Sequence, residues 1–131
     1  MASEAQQEGL RLLKSIVDQA RAFISDAGEF FPFASVLTEE GAIRPYGLLD
    51  EDSTIPVYLS KLQSLLDTDI HQGKFVAYAL GVNVRVTLTD EDRPVDAVEI
   101  RLRHPSLDPI DYYMKYEYLS NQWHFYELVT L

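Results

Sequence analysis

Lys74-Phe75-Val76-Ala77-Tyr78-Ala79-Leu80-Gly81-Val82-Asn83-Val84-Arg85-Val86-Thr87-Leu88-Thr89 is the stretch that decides the fold. Val76, Tyr78, Leu80, Val82, Val84, Val86 and Leu88 recur at every second position, which is the period of a strand and not of a helix. Phe75, Ala77, Ala79, Gly81, Asn83, Arg85 and Thr87 occupy the other side. A strand of this length is expected to bend or bulge, and Gly81 is the expected bend.

The same alternation continues to the C-terminal side. Asp90-Glu91-Asp92-Arg93-Pro94 reads as a turn. In Val95–His104, Val98, Ile100 and Leu102 form the apolar side, and Glu99, Arg101 and Arg103 the polar one. After a turn at Pro105–Pro109, Ile110, Tyr112, Met114, Tyr116 and Tyr118 line one side of a strand over 110–119. Ser120-Asn121 is a tight turn, and a last strand over 122–130 sets Trp123, Phe125 and Val129 against His124, Tyr126 and Leu128.

On the N-terminal side the period changes. Leu10, Leu12, Leu13, Ile16, Val17, Ala20, Phe23, Ile24 and Ala27 fall three and four apart, predicting a helix over 4–26. Ser3 with Gln6 three residues later makes a capping box, and Gly28 is the stop. Residues 29–37 and 42–45 flank a Gly41 turn and read as a hairpin, with Pro32 and Pro45 marking an edge. After a loop at 47–52, Ser53 or Thr54 can cap a second helix with Pro56 in its first turn. Ile55, Tyr58, Leu59, Leu62, Leu65, Leu66 and Ile70 form its apolar stripe, and Gly73 closes it.

The predicted class is therefore α+β in the order α-β-β-α-β-β-β-β. It is a single domain over 1–131, built as an antiparallel meander sheet with two helices on one face. The opposite face would meet water or a partner. At 131 residues and 47% hydrophobic content the chain can bury one core. With no cysteine, disulfides, thiolate metal sites and cysteine nucleophiles are excluded.

The 21 acidic residues outweigh 11 basic ones, for a net charge of -10, which argues against general nucleic-acid binding. Ten of the acids fall in four clusters: Glu39-Glu40, Asp50-Glu51-Asp52, Asp67/Asp69 and Asp90-Glu91-Asp92. None has the D-x-D-x-D-G spacing of a calcium loop, so they read as solvated loop tips or as acids that steer a basic partner. Arg44, Arg85, Arg101, Arg103 and Lys115 fall in predicted strands. Pairing across the 90–94 turn is expected to gather Arg85, Arg101 and Arg103 on the polar sheet face with Asn83 and Lys115. That set, with Arg44, is the candidate surface for a ligand or partner. The plainer reading is a solvated face with cross-strand ion pairs such as Arg101–Glu117.

Chemistry has no visible signature. His71, His104 and His124 lack a metal-type spacing. Ser35 or Ser106 with a histidine lacks the G-x-S-x-G elbow, and no Walker A loop, G-x-G-x-x-G or H-E-x-x-H occurs. No catalytic residue, metal or cofactor is expected. Met1-Ala2-Ser3-Glu4 and its continuation give neither the basic start nor the apolar run of a signal peptide. No stretch reaches the ~18 apolar residues of a membrane span. The expected location is cytoplasmic. The eight tyrosines, five of them beyond residue 110, suit strands and also interfaces.

Phe31-Pro32-Phe33-Ala34-Ser35-Val36-Leu37 followed by Gly41-Ala42-Ile43-Arg44-Pro45, then Val84-Arg85-Val86 and the Asp96–His104 strand, resembles a family of small bacterial proteins without an assigned activity. The likeness spans about residues 28–104 and stops before the Tyr-rich C-terminal hairpin. It implies a bacterial origin and an α+β domain, and supplies no catalytic residue. Three functional readings remain open. The first is a non-enzymatic binding protein, in one version an immunity-type protein that neutralises a basic toxin. The second is a small-anion-binding protein or enzyme using the arginine face. The third is a homodimer built on the C-terminal hairpin.

Overall fold

The computed structural model describes residues 3–48 and 52–131. Of the acidic cluster at 50–52, Asp50 and Glu51 lie outside the described residues, as do Met1, Ala2 and Leu49. The elements run α1 (Glu4–Ala27), β1 (Phe33–Leu37), β2 (Ile43–Tyr46), α2 (Ile55–His71), β3 (Ala77–Val86), β4 (Val95–Arg103), β5 (Ile110–Leu119) and β6 (Gln122–Val129). The predicted order is the observed order. The helix ends follow their local chemistry. Ser3 accepts from the Gln6 backbone N–H while the Gln6 side chain returns to the Ser3 backbone, and Gly28 stops α1 in the left-handed region at φ 78°. Thr54 caps α2 without a side-chain hydrogen bond.

The six strands form one antiparallel sheet in the order β2-β1-β3-β4-β5-β6. β3 to β6 are a meander of neighbours. β1 and β2 form a hairpin whose first strand lies beside β3, so α2 carries the chain from the edge strand β2 back across β1. β2 and β3 thus run parallel with one strand between them, a link that requires a crossover element.

The helices take opposite faces of this sheet, not one face. Leu12, Leu13, Ile16, Ala20 and Ile24 of α1 pack on Ala77, Ala79, Val98, Ile100 and Met114. Tyr58, Leu62 and Leu66 of α2 pack on Ala34, Val36, Tyr78, Leu80 and Val82. Because successive strand residues point to opposite faces, β3 is buried on both sides, as a strand between two helical layers must be. The expectation of a single apolar side failed on Ala77, Ala79 and Gly81. Small residues read as the weak side, yet they are the seat of α1.

Gly81 shows how tight that seat is. A β-carbon there would come within 3.0 Å of Ile16 Cγ2 and of the Phe33 ring. The residue permits the close approach of α1, and β3 passes through it without ending. Closer to the sheet edge, Phe23 and Phe30 each meet Phe33 edge-on, with ring centroids 5.2 and 5.4 Å apart.

Candidate functional site

Strand pairing divides the predicted cluster between the two sheet faces. Val82 faces Glu99 and Leu80 faces Arg101, so the large-residue side of β3 shares a face with Glu99, Arg101 and Arg103, which is the α2 face. Asn83 pairs with Val98 and Arg85 with Asp96 on the α1 face. Arg85 and Asn83 therefore do not join Arg101 and Arg103. The two apolar stripes do not lie on one face: the register sets the large-residue stripe of β3 against the polar side of β4. Lys115 pairs with Ala97 and does share the Arg101 face. Arg44 lies on edge strand β2, with β1 and β3 between it and β4.

α2 spans only the β1–β3 end of its face. Over β4, β5 and β6 that face carries a ladder of charged and phenolic groups. Arg101 Nε donates to Glu99 Oε1 at 2.7 Å, Nη1 donates to Gln63 Oε1 of α2 at 3.0 Å, and Tyr113 donates to Glu99 Oε2 at 2.9 Å. The expected partner Glu117 is not used by Arg101; it accepts from Tyr126. Arg103 Nη1 donates to the Leu102 and Ile110 carbonyls at 2.9 and 3.2 Å and lies 3.0 Å from Asp111 Oδ1. That oxygen has no aligned donor among the described residues, since the guanidinium edge is spent on the two carbonyls. Lys115 reaches Glu91 of the 90–94 turn at 2.5 Å and lies 4.9 Å from the centre of the Tyr126 ring.

Beneath α2 the ladder continues into the core. Tyr78, fully buried, donates to Asp67 at 2.6 Å and accepts from Gln63, which in turn accepts from Arg101. Burial first, and then Asp67, push the Tyr78 phenol up. Burial and then Glu99 push Tyr113 up to about 12. Tyr46 also rises to about 12, chiefly through burial and then its 2.6 Å bond to Asp69. Asp69 is held below its usual range, first by that phenol, despite the opposing effect of burial, and then by Lys74. The hydrogen bond from Lys115 to Glu91 raises the ammonium. Asp67 and Asp69, counted among the acidic clusters, thus lie within α2 and anchor tyrosines of the sheet.

Two clefts border the ladder. One of about 320 Å³ lies between the end of α2 and the 105–109 turn, with Asp67, His71, Arg103 and His104 among its walls. His104 is committed there. Its Nε2 is 2.9 Å from Glu8 and its Nδ1 accepts from the Ser106 N–H at 3.1 Å, which ties the start of α1 to the β4–β5 turn. The second, of about 660 Å³, lies between the 88–91 turn and β6, with Asp90, Glu91, Lys115, Tyr126 and Glu127 among its walls. Ser35 is buried and bonded to Ser15 and Gln19 of α1, with no histidine. Among the described residues no group of three or more His, Asp or Glu is placed to hold a metal, and no helix is long and apolar enough to cross a membrane.

Comparison with protein-family models, with curated proteins and with solved structures finds no match to this chain. The buried tyrosine–carboxylate links were invisible to sequence reasoning, because Tyr78 and Asp67 become neighbours only once α2 crosses to its own face.

Proposed function

We propose that the chain is a non-enzymatic binding protein of bacterial, cytoplasmic type whose partner is a basic macromolecule, an immunity-type protein against a basic toxin being the concrete version. One observation carries this reading. The cations of β3, β4 and β5 are each matched by an acid: Arg85 by Asp96 at 3.1 Å, Arg101 by Glu99, Arg103 by Asp111 and Lys115 by Glu91. Asp90, Asp92, Asp108 and Glu127 have no cation within ion-pair distance among the described residues. Set against Arg93, an exposed cation of the same turn, the unmatched charge around these strands is therefore net acidic, on a chain already at -10. An acidic field favours and accelerates encounter with a basic surface.

The small-anion reading loses its motivation, since Arg85 is on the other face and the remaining arginines are already neutralised. The test is capture by the immobilised chain from a bacterial lysate at low and at high salt, with the bound proteins identified. The reading expects basic proteins that are released by salt. A captured set without basic bias that resists salt contradicts it.

A further inference from the structure

The last strand pair differs in character from the rest of the surface. Of the twelve large apolar residues exposed among the described residues, six lie between Tyr118 and Leu131: Tyr118, Leu119, Tyr126, Leu128, Val129 and Leu131. The same stretch, Tyr118 to Leu131, holds one acid, Glu127, and no lysine or arginine. β6 is the terminal strand of the sheet, so its outer backbone edge has no partner among the described residues. The other terminal strand, β2, is four residues long and contains Pro45 and the exposed Arg44, two devices that blunt an edge. β6 is eight residues long and has neither proline nor lysine.

We infer that β6 is the seat of a homodimer, in which two copies pair their β6 edges antiparallel and extend the sheet from six strands to twelve. A second copy fits this edge better than a basic partner does. The edge offers almost no charge for a basic surface to meet, whereas two chains of -10 can approach each other only where charge is sparse. The register shift in β6 fixes how the edges can meet. Phe125 pairs with Tyr116 and Leu128 with Met114, so Phe125 and Leu128 lie on one sheet face, with Tyr126 and Glu127 turned to the other between them. Directly opposed residues of an antiparallel pair must share a face. A two-fold axis between Tyr126 and Glu127 satisfies this. It sets Phe125 opposite the partner's Leu128 on one face and Tyr126 opposite the partner's Glu127 on the other. The first pair is apolar, and the second lays the Tyr126 ring, whose hydroxyl is held by Glu117 of its own chain, beside the Glu127 side chain. An isologous contact of this kind closes after two copies. The same register shift bends the edge, so the association is weak and needs high chain concentration.

The test is sedimentation equilibrium of the full chain across a concentration series, with a mass of 15.0 kDa for one copy. The expected result is twice that mass at high concentration, and a dimer strengthened by added salt, because salt screens the repulsion between the two acidic bodies. Tyr126→Glu, at an exposed position, sets carboxylate against carboxylate on both sides of the axis and weakens the dimer about tenfold or more. An equimolar mixture of Tyr126→Glu with Glu127→Lys restores it. In the mixed dimer the introduced carboxylate of one copy meets the introduced ammonium of the other, and one native Tyr126–Glu127 pair remains. A single-copy mass at every concentration overturns the inference, and so does a dimer indifferent to Tyr126→Glu or a mixture that fails to restore it. Binding of a basic partner is weakened by salt, so the two readings fail separately.

Discussion

The seat of α1 on β3 predicts a specific cost for one methyl group. In Gly81→Ala, the new β-carbon would meet Ile16 Cγ2 and Phe33 Cε1 at 3.0 Å and Phe33 Cζ at 3.2 Å. Ile16 is fully buried, so it cannot swing aside. Overpacking of this kind costs about 1–3 kcal/mol. Replacing glycine by alanine in a strand returns about 0.5–1 kcal/mol of backbone entropy. Three contacts this short, one of them on a fully buried side chain, put the cost in the upper half of that range, so the net expectation is a loss of about 1–2 kcal/mol. With an m-value of about 2 kcal/mol/M, that moves the urea midpoint down by about 0.5–1 M at unchanged slope. Gly47→Ala is the control, because nothing lies within 4 Å of the position a β-carbon would take there. It is expected to leave the midpoint unchanged or raise it slightly. If Gly81→Ala behaves like Gly47→Ala, α1 does not sit on β3 as closely as described, and the two-layer packing fails with it.

Tyr78→Phe strips a fully buried hydroxyl from Asp67 and Gln63 and is expected to cost about 1–3 kcal/mol in the same urea assay; a neutral result would mean that the link is not formed. Tyr46, Tyr78, Tyr113, Tyr116 and Tyr126 all have raised phenol pKa values in the folded chain. Their contribution to stability is complete below the ordinary phenol pKa of about 10 and is lost as pH rises through the folded values. Tyrosinate absorbance at a pH just above ~10 should therefore be well below that of the chain unfolded in guanidinium, and superimposed titration curves would refute it. Ser3→Ala removes the capping box and is expected to cost about 1 kcal/mol, with faster amide exchange confined to the first turn of α1.

The element order was legible because each element repeats one period long enough to read. α1 declares itself by its apolar stripe and by Ser3, Gln6 and Gly28, and the Ser120-Asn121 turn by residues that tolerate the φ of 52° and 64° found there. Which face each helix takes was not legible. That depends on Ala77, Ala79 and Gly81, whose small side chains look like a weak side until a helix is set against them. The same gap misplaced the candidate site. Arg85 and Arg101 each read correctly as residues of strands, but the register of β3 on β4 decides whether they share a face, and it is set by long-range packing. The buried link from Arg101 through Gln63 to Tyr78 and Asp67 joins residues up to 38 positions apart, and no local pattern announces it.

In the proposed function, the unmatched acids around the 90–92 turn recognise a basic partner. The most direct measurement is the dissociation constant of the chain for a captured basic protein as salt is raised, with the unmodified chain and with Asp90→Lys/Asp92→Lys compared side by side. Affinity of the unmodified chain is expected to fall steeply with salt, by about tenfold or more over a tenfold rise in ionic strength. The charge-reversed chain is expected to bind more weakly at low salt, with a shallower dependence. An affinity that is flat in salt and unchanged by the double charge reversal would contradict the claim.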